Sequence, residues 1–268
     1  MSIRDFLTTH PVFTVDELEQ YQHRIGSESK WTRKSLLAYH RKQGHIIQIR
    51  RGLYAAVPAG VEPETFSPDP YLIAGKMSKD AVLSFHTALE LQGSAYSIFN
   101  EYYYLTRANI QPVEFRGMHF RSVRFPKALS RNGKEGSCVK DIDLYGVSVN
   151  VATLERTLVD LFHKPEFGGG WEEIWRSLEM VSYFDFDEVV RYALLLENAT
   201  TIAKVGYFLQ QNSKRLMVKT EHLEPFQKHK PKQPHYMDRK YNGDSHLIKE
   251  WNLIVPDYIA DRAWEEPG

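Results

Sequence analysis

Apolar positions along the N-terminal part of the chain recur at helical spacing in short runs. Ile3, Phe6 and Leu7 share a face between Ser2 and Thr9, and Pro11 stops that run, since proline lacks an amide donor and disfavours helix in the residue before it. Thr14 followed by Glu17 matches a capping box, and Val15, Leu18 and Tyr21 or Gln22 continue at helical spacing until Gly26 and Ser27 break it. Ser27 or Ser29 caps a third helix that runs through Trp31, Leu36 and Tyr39 to Gly44, a glycine terminator. The periodicity then changes. Ile46, Ile47 and Ile49 predict a strand, Arg50-Arg51-Gly52 a tight turn, and Leu53 to Val57 the returning strand.

Helices closed by a hairpin define a winged helix-turn-helix over residues 1–62. Residues 58–70 (PAGVEPETFSPDP) carry proline and acid without apolar periodicity and are expected to be a linker. A second domain is expected over 71–212, with helix at 71–92, strands at Glu101 to Thr106, Val113 to Phe125 and Leu144 to Val151, and helix at Leu154 to Phe162. Further helices are expected at Trp171 to Val181, Phe186 to Leu196 and Thr201 to Gln211. Residues 213–268 have little to pack and are expected to form an irregular, docked extension. The class is α+β: a winged helix-turn-helix followed by a larger mixed α/β domain.

Net charge adds nothing by its average, because 34 Lys+Arg balance 34 Asp+Glu; its distribution does. From Ser29 to Gly52 the chain carries Lys30, Arg33, Lys34, Arg41, Lys42, Arg50 and Arg51 and no acid. At about 100° per residue, Lys30, Arg33, Lys34, Leu37 and Arg41 share one face of the third helix, while Thr32, Leu36, Tyr39 and Gln43 share the other. The first face is expected to be presented and the second packed. A major groove admits one helix, where Arg or Lys reads guanine edges or neutralises phosphate, and Arg50 and Arg51 at the hairpin tip would act as a wing. Trp31 lies between the faces and suits either role. Lys204, Lys214, Arg215 and Lys219, followed by Lys228, Lys230 and Lys232, suggest a second basic surface, from which Lys214 and Arg215 join the expected DNA contacts.

Other chemistry is less well supported. Cys138 is the only cysteine, so neither an intrachain disulfide nor a four-thiolate metal site can form, and a reducing cytoplasm fits. The N-terminus lacks the pattern of a signal peptide, and no run approaches a membrane span. Asp141 and Asp143 with Glu155 would suit a Mg²⁺-dependent nuclease, but no lysine follows at the short spacing of such sites. Gly168 to Gly170 lacks the Gly-Lys-Ser/Thr of a phosphate loop, and His222, His229, His235 and His246 are irregularly spaced for zinc. No cofactor and no metal are expected. A solitary ligand-sensing regulator is the other alternative, with Tyr96, Phe99, Tyr102, Tyr103 and Tyr104 around a pocket, although aromatic residues along a strand are more often core.

The runs RKQGHIIQIRRGLYAAV (41–57), AVLSFHTALELQG (81–93), VNVATLERTLVDLF (149–162) and GGGWEEIWRSLE (168–179) resemble the AbiEi family of antitoxins, transcriptional regulators of type IV toxin-antitoxin and phage-defence systems. The resemblance spans about residues 10–212; the family usually has proline where Leu154 stands. It implies an N-terminal domain that represses its own operon at inverted repeats in double-stranded DNA. It also implies a non-enzymatic C-terminal antitoxin domain that counters a nucleotidyltransferase-like toxin without a stable complex. Glu155, Arg156 and Asp160 in the distinctive run are expected to hold neighbouring elements together rather than to catalyse.

Overall fold

A computed structural model describes residues 3–26 and 30–264, with side chains at all of these except 30–32. The chain packs as two compact units, each discontinuous in sequence. Residues 1–83, 100–124 and 141–150 make the first, and residues 84–99, 125–140 and 151–268 the second.

The first unit opens with α1 (Ile3–Thr9), β1 (Val12–Thr14), α2 (Val15–Arg24), α3 (Lys30–Lys42), β2 (Ile46–Arg50) and β3 (Leu53–Ala56). The strands form an antiparallel sheet in the order β1-β3-β2. This order fits the winged-helix plan and adds β1, a strand that the hydrophobic pattern does not announce. Thr14 ends β1 and caps α2: Glu17 N donates to Thr14 Oγ1 at 3.3 Å, while Thr14 N donates to Glu17 Oε2 at 2.8 Å. Both bonds of the expected capping box are present, and they satisfy amides that a helix start otherwise leaves unpaired. The helices close on Phe6, Phe13, Leu18, Tyr21 and Ile46, all buried, with Leu37 and Tyr54 packed against them.

The chain continues through α4 (Pro70–Gly75), β4 (Val82–Leu83), α5 (His86–Leu91), β5 (Glu101–Thr106), β6 (Val113–Phe115), β7 (Met118–Arg124), α6 (Lys127–Asn132), β8 (Val139–Leu144) and β9 (Val147–Ala152). Six of these are strands of a mixed sheet in the order β6-β7-β5-β4-β9-β8, with β5 and β7 parallel and β6 and β7 antiparallel. Tyr104 and Phe120 are fully buried in it. Three expectations are corrected. The helix expected over 71–92 is two short helices with β4 between them. The single strand expected over 113–125 is a hairpin, because Arg116 and Gly117 adopt positive φ of 52° and 75° and reverse the chain. Tyr145 and Gly146, at 57° and 81°, turn β8 back into β9 where one strand was expected.

Helices dominate the second unit: α7 (Leu154–His163), a 3₁₀ turn at Pro165–Phe167, α8 (Trp171–Glu179), α9 (Phe186–Leu195), α10 (Ala199–Gln211), α11 (Ser213–Leu216) and α12 (Thr220–His229). Its last part contains β10 (His235–Tyr236), β11 (Ser245–Ile248), β12 (Leu253–Pro256) and α13 (Asp257–Ala260), the strands pairing in the order β10-β12-β11. The expectation of an irregular extension over 213–268 is therefore corrected. Phe226, Trp251, Leu253 and Val255 are buried, and these few apolar residues suffice to anchor a small sheet.

α7 carries the distinctive sequence run and sits at the centre of this unit, packed on α5, α9 and α10. Leu158, Val159, Leu161 and Phe162 are fully buried. Arg156, also fully buried, donates from Nη1 to the carbonyls of Glu135 at 2.7 Å and Ser137 at 2.8 Å, and from Nε to Asp160 Oδ2 at 3.2 Å. Tyr192 donates to the other oxygen of Asp160 at 2.8 Å. The guanidinium thus ties a loop to two helices. Such a network is a structural one, since both charges are paired and no solvent reaches them.

Candidate nucleic-acid interface

The acid-free basic run builds α3 and the β2–β3 hairpin. Buried Arg33 and His40 and half-buried Leu36 and Leu37 set the inward face of α3, while Lys34, Ser35, Ala38, Tyr39, Arg41 and Lys42 face solvent. This rotates the expected faces. Leu37, expected outside, packs on the apolar core, and Tyr39, expected inside, is 56% exposed.

Arg33 is the main correction. Its guanidinium is buried and donates from Nε to Gln22 Oε1 at 3.1 Å and from Nη2 to Glu19 Oε1 at 2.5 Å. It clamps α3 onto α2 and is not presented to solvent. Only the arginine is buried, since the Glu19 side chain is 41% exposed, so removing the partners of Arg33 would leave its charge without its bonds. His40 is buried as well, with its Nδ1 3.0 Å from Nδ1 of His45. Burial and the nearby His45 hold its imidazole below the ordinary histidine value.

Lys34, Ala38, Arg41 and Lys42 therefore form the exposed stripe, one helical turn apart. Arg41 donates from Nη1 to Gln48 Oε1 at 2.8 Å, joining the helix to β2. Lys34, Leu37, Ala38, Arg41 and Tyr54 line a shallow depression of about 190 Å³ between α3 and β3. Gln48 and Tyr54 belong to this surface although the charge pattern gave no sign of them; their place on alternating strand positions was the available signal.

The two wing arginines separate. Arg51 is exposed at the turn, where Gly52 takes φ of +82°. Arg50, expected at the tip beside it, closes β2 and is half-buried, with Nη2 donating to the Met77 carbonyl at 2.5 Å. Lys30 and Trp31 begin α3, but their side chains lie outside the described residues.

The second basic surface disperses in the fold. Lys204 is only 8% exposed, so it is not a surface cation. Arg215 donates to the carbonyls of Glu179 at 3.0 Å and Val181 at 2.6 Å and so closes the C-terminal end of α8, where cations complement the helix dipole. Lys214 is exposed. Lys219 pairs with Glu221 at 3.4 Å, and Lys230 donates to the Glu250 carbonyl. Asp141 and Asp143 are exposed, and Asp143 accepts from Gly146 N at 3.1 Å within the β8–β9 turn. Among the described residues no group of three or more His, Cys, Asp or Glu is placed to hold a metal ion. Of the aromatic cluster, Tyr102, Tyr103 and Tyr104 are buried in β5, and Tyr96 is 55% exposed. No described helix is long and apolar enough to cross a membrane.

Lysine and arginine are thus presented on one helix face beside a basic hairpin turn. Residues 1–57 match the family model described as transcriptional regulator, AbiEi antitoxin. That is the family which the sequence resembles, matched over the segment that carries α1 to β3. Among solved structures, the chain is similar to the RV2827C protein from Mycobacterium tuberculosis, at 17% identity and a TM-score of 0.60, over 93% of this chain and 87% of that one. At that identity the likeness speaks for the fold. No curated protein matches the sequence.

Proposed function

We propose that the chain is a sequence-specific DNA-binding repressor that acts on its own promoter, with α3 entering the major groove and Arg51 following the backbone. One observation carries the reading: Lys34, Arg41 and Lys42 face solvent from a helix whose opposite side is fixed by the Arg33 clamp and the Phe6–Phe13–Leu18 core. A rigid element is what base readout needs, because a cation held in register reads position as well as charge. Arg33 and Arg50 do not touch DNA in this reading and act in positioning. Lys30 and Trp31 stay among the DNA-facing residues on sequence grounds, as does Lys214 for an added phosphate.

The residues on either side of 58–70 take different roles in this reading. Residues 1–62 bind DNA, and 71–212 serve as the antitoxin part against a nucleotidyltransferase-like toxin encoded beside it, without a stable complex. The match of residues 1–57 to a regulator family supports the first role, and the resemblance of 149–162 supports the second. The test has two arms. A reporter driven by the chain's own promoter should be repressed by the full chain and released by Lys34→Ala with Arg41→Ala. Co-expression with the neighbouring gene product should restore growth that this product alone arrests. Repression unchanged in the double variant would overturn the DNA assignment, and failure to restore growth would overturn the antitoxin one.

A further inference from the structure

The second unit contains a cleft of about 430 Å³ that DNA binding by α3 does not use. Its floor is the first turn of α10, a helix of thirteen residues, with Thr200 and Thr201 on the wall. Lys204 lies one turn further along the same face and also lines the cleft. Arg239 and Lys240, both exposed, stand at the mouth.

Lys204 is the unusual residue. It is 8% exposed, and among the described residues its ammonium has neither a hydrogen bond nor an ion pair. Its Nζ lies 5.2 Å from the centroid of the Trp171 ring. Burying an ammonium is expensive, and burial lowers its pKa to about 8 although Asp238 and Glu166 act in the opposite direction. The charges that face it are Asp238, Arg239 and Glu166. Asp238 is already engaged, accepting from Trp171 Nε1 at 3.0 Å and from Lys240 N at 2.8 Å. Glu166 is exposed to solvent. The other polar walls are likewise fixed: Thr201 Oγ1 lies 3.0 Å from His163 Nδ1, and Thr200 Oγ1 lies 2.6 Å from His235 Nδ1. The lining thus carries three cations, Lys204, Arg239 and Lys240, against two carboxylates, Glu166 and Asp238, and keeps one positive charge in excess.

We propose that this cleft binds the phosphoryl group of a small phosphorylated molecule of about mononucleotide size. The N-terminus of α10, where Asn198 Oδ1 already accepts from Thr201 N at 3.0 Å, adds its partial positive charge, Lys204 supplies a half-neutralised cation at the wall, and Arg239 and Lys240 close on the anion from the mouth. Three cationic side chains, Lys204, Arg239 and Lys240, suit the three terminal oxygens of a phosphate ester better than the two oxygens of a carboxylate. A volume of this size holds one nucleotide and excludes a duplex. Tyr236, 53% exposed on the rim, offers a flat ring for a base beyond the phosphate. The cleft is independent of the DNA assignment, since it is built from residues of the second unit alone.

The test is calorimetric titration and thermal melting of the full chain with inorganic phosphate, AMP and adenosine at constant ionic strength. Phosphate and AMP should bind and raise the melting temperature, AMP more tightly, while adenosine should do neither. Lys204→Met should weaken AMP binding at least tenfold. Arg239→Ala, a substitution at an exposed position, should weaken it severalfold and leave the ligand-free melting temperature unchanged. Binding of phosphate equal to that of AMP assigns the site to the free anion, and stronger AMP binding assigns it to the phosphate ester. Adenosine binding as well as AMP, no response to either anion, or unchanged affinity in Arg239→Ala would overturn the proposal, the last even if Lys204→Met failed to fold.

Discussion

Arg33 Nε donates to Gln22 Oε1 at 3.1 Å, so the first arginine of the basic run faces α2 instead of solvent. Its other donor meets Glu19, making one side chain the bolt between two helices. Arg33→Ala should therefore lower stability, by on the order of 1–3 kcal/mol, as expected when a charged hydrogen-bonded partner is removed. Urea denaturation read by circular dichroism checks this. A variant as stable as wild type but unable to bind DNA would show that Arg33 touches DNA after all.

Gly206 in α10 faces Trp251, and a Cβ added there would overlap the indole ring. Trp251 has no exposed surface and donates from Nε1 to Gln210 at 2.5 Å, so it cannot swing away. Gly206→Ala should destabilise by about 1–3 kcal/mol despite its better helix propensity, because overpacking outweighs that gain. Thermal melting at fixed pH is the measurement. A stabilised variant would mean that the final strands do not dock on α10.

Lys204 makes stability depend on pH in a definite direction. Burial lowers its folded pKa to about 8 from the ordinary lysine value of 10.5, so between these values the unfolded chain binds more protons than the folded one. Stability then rises with pH across that window. Lys204→Met should be more stable than wild type near pH 7, and the difference should shrink as pH approaches 10.5. A pH-independent difference would show that the ammonium is better paired than its surroundings indicate.

Residues 58–69 contain neither helix nor strand, and most are exposed. Brief proteolysis should cut there first and leave pieces beginning and ending near residues 58–67, as exposed backbone without ladder bonds is cleaved most readily. Mass spectrometry of the early fragments checks the proposed boundary. First cuts elsewhere, for example in the 231–244 stretch, would move it.

Local chemistry made the N-terminal elements readable from sequence. Thr14 with Glu17, Gly44 after α3 and Arg51-Gly52 at the turn each fix a helix end or a reversal within a few residues. What could not be read was rotation about an axis. Arg33 and Leu37 sit only about 40° apart on α3 by helical geometry, and the pattern gave no reason to place an arginine inside, because its partners Glu19 and Gln22 come from another helix. Tertiary pairing likewise explains Arg50, which ends on the Met77 carbonyl. Lys204 looked like surface charge because composition carries no information about burial, and Arg215, though exposed, spends its donors on the carbonyls at the end of α8. The small C-terminal sheet was missed since its strands are two to four residues long, too short for alternation to show.

The proposed DNA-binding surface is the exposed stripe of α3 with the wing turn, and the salt dependence of promoter binding tests that proposal most directly. Fluorescence anisotropy across a salt series should give wild type a steep fall of log K with log salt. Lys34→Ala, Arg41→Ala and Arg51→Ala combined should flatten it by roughly 0.9 for each phosphate that is no longer neutralised, and removal of a base-reading side chain should cost about 1–3 kcal/mol of discrimination. Melting temperature should stay near wild type, since Lys34 and Arg51 are exposed and Arg41 gives up a single exposed bond to Gln48. A triple variant that binds the promoter with the wild-type affinity and slope would contradict the assignment of this surface to DNA.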